Sequence, residues 1–329
     1  MAQATMAVSP ADLVRADLDR VEQMLLEASV SEVETLREAA RHILCAGGKR
    51  VRPQLLLLAA RAVGGSSSRA APLAAACELV HTATLVHDDI VDESDSRRGR
   101  AAVRFFFGNS ASVLMGDYLV VRAFRLVALD PERQVWTLLA DTIARMCEGE
   151  VLQLSVKGDT GIGLDVYETI IECKTAMLMA TCTRFGALAG AADAGTVQAL
   201  TDFGYNLGMA FQIQDDILDF TGSEEVLGKP VGGDLREGKV TLPAIYALQD
   251  ALPTDRDELL RIYAGAGSLA AEEIRRATAI IEAAGGLRRA REHARAYVAR
   301  ARHNLRPLPD SAARDALLVL ADYIVNRQH

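Results

Sequence analysis

Six aspartates stand in two matching groups, Asp88, Asp89 and Asp92 in HTATLVHDDIVD and Asp215, Asp216 and Asp219 in FQIQDDILDF. Each group reads DDxxD and each closes an apolar run. On a helix the first and last aspartate of such a set are i and i+4, so their carboxylates share one face and can reach a common ion. Carboxylate oxygen without Cys or His at matching spacing selects a hard cation. Mg2+ in particular binds through one or two carboxylates and fills its shell with water and substrate phosphate. At the C-terminal end of a helix these charges are opposed by the helix dipole and by one another. Something cationic must compensate. One DDxxD alone reads more simply as a solvated acidic face; two copies within apolar sequence favour the metal.

Basic residues suited to a diphosphate recur along the chain. In AGGKRVRPQ, Lys49, Arg50 and Arg52 follow a glycine pair that lets backbone approach an anion, and arginine forks match phosphate oxygens. Arg97, Arg98 and Arg100 come directly after the first acidic group. Lys174 lies in the apolar helical run YETIIECKTAML, and Lys229 and Lys239 bracket the glycine-bearing stretch GKPVGGDLREGK, a candidate lid over 221–239. Each alone is ordinarily an exposed charge. Together with two Mg2+-type groups they fit a site for two diphosphates.

The elements that must position these residues are helical. Half of the 329 residues are apolar, 5% are aromatic and nine are proline, a composition that favours an all-α protein. Helical periodicity starts in PADLVRADLDRVEQMLLEA, with Ser9 and Pro10 as cap and first turn. It continues over about 31–47, 51–64, 70–93, 109–129, 131–155, 165–190, 194–220, 240–250, 255–265, 269–284, 286–304 and 310–327. No alternating strand pattern, linker or repeat divides the chain, so one domain over 1–329 is expected, with 1–11 as a flexible tail. The formal net charge of -8 argues against nucleic acid as a partner. Five cysteines without a CxxC pair suit a reducing cytoplasm, and no apolar run approaches the roughly 18 residues of a membrane span.

GGKRVRP, ELVHTATLVHDDIVDESDSRRG, GDYL, YETIIECKTA, FQIQDDILD and GKPVGGDLREGKVTLP, in this order, resemble the trans-type isoprenyl diphosphate synthases over residues 40–250. The resemblance implies an antiparallel helical bundle around an elongated central cavity. It also implies a homodimer, and condensation of isopentenyl diphosphate with an allylic diphosphate primer. Asp88, Asp92 and Asp215, supported by Asp89, Asp216 and Asp219, would hold three Mg2+ on the allylic diphosphate. Arg97, Lys174, Lys229 and Lys239 would surround that leaving group, with Thr175 and Gln212 beside the cation or its metals. Isopentenyl diphosphate would meet Lys49, Arg52, His81 and Arg98. His81 stands seven residues before Asp88, nearly on the same helix face. The sequence departs from the family after RRG, where Arg100-Ala101-Ala102-Val103-Arg104 replaces a usual Pro-Thr turn; a less rigid loop is expected.

The resemblance also implies that product length would be set by side chains N-terminal to the first acidic group. Ala83 and Thr84, five and four residues before Asp88, and Val80 beyond them are not aromatic, and HTATLVHDDIVDES resembles long-chain synthases that make quinone side chains. The alternative is a floor at Tyr118, Val121 or Phe124 and a geranylgeranyl or farnesyl product. A long tail gains about 0.8 kcal/mol per buried CH2 and leaves slowly, so transient membrane contact would assist release. Terpene cyclisation, a non-catalytic synthase subunit and metal storage are the competing classes. Intact acidic groups with GKRxRP disfavour the first two, and a lack of Glu-x-x-His pairs disfavours the third.

Overall fold

Ser9 accepts a hydrogen bond from the backbone N–H of Asp12 and so caps the first helix, α1 (Pro10–Leu13). The computed structural model describes residues 9–97, 100–222 and 231–326. Residues 9–11, expected in the tail, are therefore part of a capped helix; residues 1–8 lie outside the described residues. A break at Val14 separates α1 from α2 (Arg15–Ala28), and α3 (Glu34–Leu44), α4 (Val51–Ala62) and α5 (Ser67–Val91) follow. Then come α6 (Val103–Val127), α7 (Arg133–Ser155), α8 (Leu164–Ile171), a π turn (Glu172–Ala176), α9 (Met177–Ala189) and α10 (Ala194–Thr221). The chain closes with α11 (Gly233–Arg236), α12 (Leu242–Asp250), α13 (Pro253–Ala264), α14 (Ala271–Ala283), α15 (Gly286–Asn304) and α16 (Ala312–Asn326).

The all-α expectation holds, with one correction. A two-stranded antiparallel ribbon, β1 (Ser96–Arg97) and β2 (Arg100–Ala101), pairs Ser96 with Ala101 and Arg97 with Arg100. Strands of two residues are too short to show alternation in sequence. Ala102 N–H bonds Asp95 O at 2.9 Å, and Arg104 reaches the Asp95 carboxylate at 3.4 Å. Ala101 O accepts at 2.7 Å from His42. The ends of the loop expected to be less rigid are thus tied down.

Helices buried on every side lie at the centre. In α5 the run Leu73 to Val80 is almost wholly inaccessible, and α9 and α10 are similar. Amphipathic helices such as α14 and α15 bury one stripe and cover the outside. α5 packs on α4 and α6, α4 on α9, and α9 on α10. From α6 the circuit returns through α7 and the π turn to α10, so the two acidic helices face across a ring. One cluster of buried residues extends from Val14 to Ile324.

Close approaches in this ring need glycine. A Cβ on Gly116, from the GDYL stretch of α6, would lie 2.1 Å from His87 Nε2 on α5. The bare backbone there lets α6 press against the helix that ends in the first acidic group.

Candidate active site

The C-terminal ends of α5 and α10 meet one segment, residues 231–239. Asp219 at the end of α10 accepts at Oδ2 from Asp234 N–H at 3.0 Å, and its carbonyl accepts from Gly232 N–H at 2.9 Å. Lys239, at the far side of that segment, places Nζ 3.3 Å from Asp92 Oδ1 and also pairs with Glu237. Burial works against the Lys239 charge, but Asp92, Glu237 and Asp234 outweigh it and hold its pKa above lysine's ordinary value. This ammonium is the compensating cation that the end of α5 requires. Asp88 and Asp92 are half-buried and one turn apart, whereas Asp89 is buried.

The donor set suits Mg2+ bound jointly with phosphate. Among the described residues no three His, Cys, Asp or Glu side chains are grouped so that they could hold a metal ion by themselves. Asp88 with Asp92 at the end of α5, and Asp215 on α10, therefore offer one or two carboxylates each. Substrate oxygens must complete any shell, which is the manner in which Mg2+ is commonly held.

Lys174 sits in the π turn, where an extra residue per turn shifts side chains out of α-helical register. Its ammonium lies 2.5 Å from Glu150 Oε2 and donates to Gln153, both on α7. The turn is gripped from two sides by glycines. A Cβ on Gly149 of α7 would meet Cys173 Cβ at 2.5 Å, and one on Gly208 of α10 would meet Ala176 Cα at 2.5 Å. Sequence reading found Lys174 but missed Glu150 and Gln153. Their i, i+3 spacing in EGEVLQL was the available signal.

From the same turn Thr175 Oγ1 donates to Gln212 Oε1 at 2.8 Å, and Gln212 Nε2 donates to Asp216 Oδ1 at 3.0 Å. Tyr167 OH, on α8, donates to Asp216 Oδ2 at 2.6 Å. Asp216 was expected beside the metals. It is 4% exposed and engaged at both oxygens, because its position on α10 turns it toward α8. Burial pushes its carboxyl up to about 7, and the hydrogen bonds from Tyr167 and Gln212 act the other way. Burial and then the Asp216 charge push the Tyr167 phenol well above its ordinary value, so it remains a donor. Tyr167 begins the YETIIECKTA stretch but carried no charge to draw attention.

The GKR segment is built on an ion cluster. Arg50, a left-handed residue at φ 47°, opens α4 and bonds Glu22 at 2.5 Å, Glu78 at 3.0 Å and Leu44 O at 2.9 Å. Its side chain is 10% exposed, so Arg50 is a structural clamp and not the phosphate hook expected from sequence. Clamped to Glu78, the segment brings exposed Lys49 and half-buried Arg52 beside α5 one turn before His81. Lys49 Nζ donates to Tyr323 OH at 3.0 Å on α16.

Of the residues expected to set product length, Ala83 and Val80 are packed to 1% exposure, whereas Thr84 is half-buried. At about 100° per residue Thr84 lies roughly 40° from Asp88 around α5, and Ala83 roughly 140° away. Val121 is 57% exposed, Tyr118 OH donates to Val30 O at 2.6 Å, and Phe124 rests on Trp136 at 5.4 Å. Arg98 and Lys229 lie outside the described residues, as does the side chain of Arg97; so do 223–230 of the candidate lid.

Comparison with known proteins agrees with this geometry. A family model described as polyprenyl synthetase matches residues 33–281. The octaprenyl diphosphate synthase of Escherichia coli is 38% identical over 318 residues, covering 96% of this chain and 97% of that protein. A short chain isoprenyl diphosphate synthase of Methanothermobacter thermautotrophicus is 38% identical over 325 residues, covering 97% and 98%. Among solved structures, a polyprenyl synthase from Caulobacter crescentus complexed with calcium and isoprenyl diphosphate superposes with a TM-score of 0.93 at 38% identity, covering 97% of each chain. With two facing acidic helix ends, a lysine-bearing π turn and near-complete coverage by these relatives, the chain belongs to the polyprenyl synthetase family and is a prenyltransferase.

Proposed function

We propose that the enzyme joins isopentenyl diphosphate head to tail to an allylic diphosphate and repeats the step to a long all-trans polyprenyl diphosphate, for quinone side chains. The observation that carries the length is α5 itself. From Ser67 to Val91 it has no Phe, Tyr or Trp, and its half-buried positions one turn before Asp88, Thr84 and Leu85, are both non-aromatic. Relatives of equal identity include both short-chain and octaprenyl synthases, so length rests on this helix.

In the proposed mechanism Asp88, Asp92 and Asp215, with Asp89 and Asp219 supporting, would hold three Mg2+, which would supply positive charge to the departing diphosphate. Lys174 and Lys239, with Arg97 and Lys229, add fixed charge around the same group. Lys49, Arg52, His81 and Arg98 orient isopentenyl diphosphate so that its double bond attacks the allylic carbon. The allylic C–O bond breaks, a C–C bond forms, and a proton then leaves the new cation toward the released diphosphate. A homodimer is supported by the apolar outer face of α6 and α7, where Leu114, Val121, Trp136 and Val151 are all about half exposed or more. Membrane contact for product release belongs to the same reading.

The deciding experiment incubates purified protein with Mg2+, labelled isopentenyl diphosphate and each allylic primer, then sizes the dephosphorylated products. Chains well beyond twenty carbons are expected. Asp88→Ala and Asp215→Ala are expected to lower turnover by orders of magnitude with the helical circular-dichroism signal intact; near-normal activity in either would sink the metal assignment.

A further inference from the structure

We propose that Asp216 is not a metal ligand but an orientation lock on Gln212, and that Tyr167 is the positioning residue that sets the lock; this rests on the prenyl-transfer reading above. The carbonyl and amino ends of a glutamine side chain are nearly identical in shape, so hydrogen-bond partners decide which end points where. Both Asp216 oxygens accept in this geometry, Oδ2 from the Tyr167 hydroxyl and Oδ1 from the Gln212 amide. Gln212 must therefore turn Nε2 toward Asp216 Oδ1, at 3.0 Å, which leaves Oε1 for the Thr175 hydroxyl at 2.8 Å. With that hydrogen donated, the remaining lone pairs of Thr175 Oγ1 and Gln212 Oε1 are electron-rich ends on the residue after Lys174 and on the residue three before Asp215. Fixed dipoles with their negative ends beside a developing allylic cation lower its energy without reorganisation. A rotated Gln212 amide would present positive N–H groups in the same place.

Tyr167 holds the other Asp216 oxygen at 2.6 Å from 49 residues away in sequence, and is itself 3% exposed. Its helix is anchored independently. The next residue, Glu168, accepts from Tyr297 OH at 3.0 Å and lies 3.1 Å from His293 Nε2, both on α15. His293 in turn is 2.7 Å from Tyr246 OH on α12. Asp216 is thus clamped between a rigid phenol and the amide whose orientation it decides.

The test compares Tyr167→Phe and Asp216→Asn with the wild type, and Tyr167→Phe with and without Thr175→Val. Tyr167→Phe removes the donor to Asp216 Oδ2, and Asp216→Asn replaces one of its two acceptor oxygens with an N–H donor; each is expected to lower kcat about tenfold. KM for both diphosphates and the Mg2+ concentration giving half activity should stay at wild-type values, and Tyr167→Phe should lose most of its effect in the Thr175→Val background. A raised Mg2+ requirement for Asp216→Asn, an unchanged kcat for Tyr167→Phe, or strictly additive effects would overturn the lock. A wild-type protein that elongates no primer would instead overturn the prenyl-transfer reading, so the two failures are distinguishable.

Discussion

Lys239 Nζ lies 3.3 Å from Asp92 Oδ1, joining the last residue of the first acidic group to the segment that Asp219 of the second group also holds. One ammonium therefore neutralises the end of α5 and ties the two halves of the site together. On the proposed reading it has two opposed effects: it repels a cation from Asp92 and attracts a diphosphate. Lys239→Met separates them. Calorimetric Mg2+ affinity of the substrate-free protein is expected to be equal or higher, while affinity for an allylic diphosphate analogue and kcat both fall by at least about tenfold. Weaker Mg2+ binding in this variant would contradict the electrostatic assignment.

The π turn gives a second prediction, set by packing. Gly149→Ala and Gly208→Ala each drive a methyl to within 2.5 Å of the turn's own atoms, from opposite sides. Overpacking of this kind costs about 1–3 kcal/mol, a Tm decrease of a few degrees in a chain of this size. Because the turn also sets Lys174 and Thr175, kcat measured well below Tm should fall further than stability alone accounts for. Equal activity at that temperature would detach the turn from the chemistry.

A third prediction concerns the Arg50 clamp. Arg50→Met leaves Glu78, 8% exposed at its side chain, without its cation, and breaking a buried pair in this way costs about 3–5 kcal/mol. Tm is expected to fall by roughly 5–10 °C. Since the clamp lies between Lys49 and Arg52, which on the proposed reading meet isopentenyl diphosphate, KM for that substrate should rise while KM for the allylic primer stays near wild type. A rise in both would assign Arg50 to general stability only.

These cases show what could be read in sequence and what could not. Asp88, Asp215 and Lys174 were legible because charge inside apolar helical sequence is costly and asks for a reason. Helix positions were legible from periodicity, to within a few residues at most ends. Arg50 looked like its neighbours Lys49 and Arg52, since the triplet gives no hint that Glu22 and Glu78 converge on the middle residue alone. Tyr167, Glu150 and Gln153 were missed for a related reason: their roles come from partners 21 to 49 residues distant, which no local pattern encodes. The hydrogen bonds of Asp216 to Tyr167 and Gln212 were not legible either, because DDxxD spacing fixes which residues share a face but not which face meets another helix.

The last prediction turns the α5 geometry into product length. A growing chain that runs from the acidic groups toward the N-terminus of α5 passes the face of Asp88 first. Half-buried Thr84 is on that face, and Ala83 is packed to 1% exposure farther round the helix. Thr84→Phe is therefore expected to shorten the product toward fifteen or twenty carbons with little change in Tm. Ala83→Phe has to open packed core to admit its ring, at about 1–3 kcal/mol; it should shorten the product while also lowering Tm. Chromatographic sizing of products beside thermal unfolding reads both effects. An unchanged length distribution in both variants would move the floor of the channel off α5, and a wild-type product that already stops at twenty carbons would remove the long-chain assignment altogether.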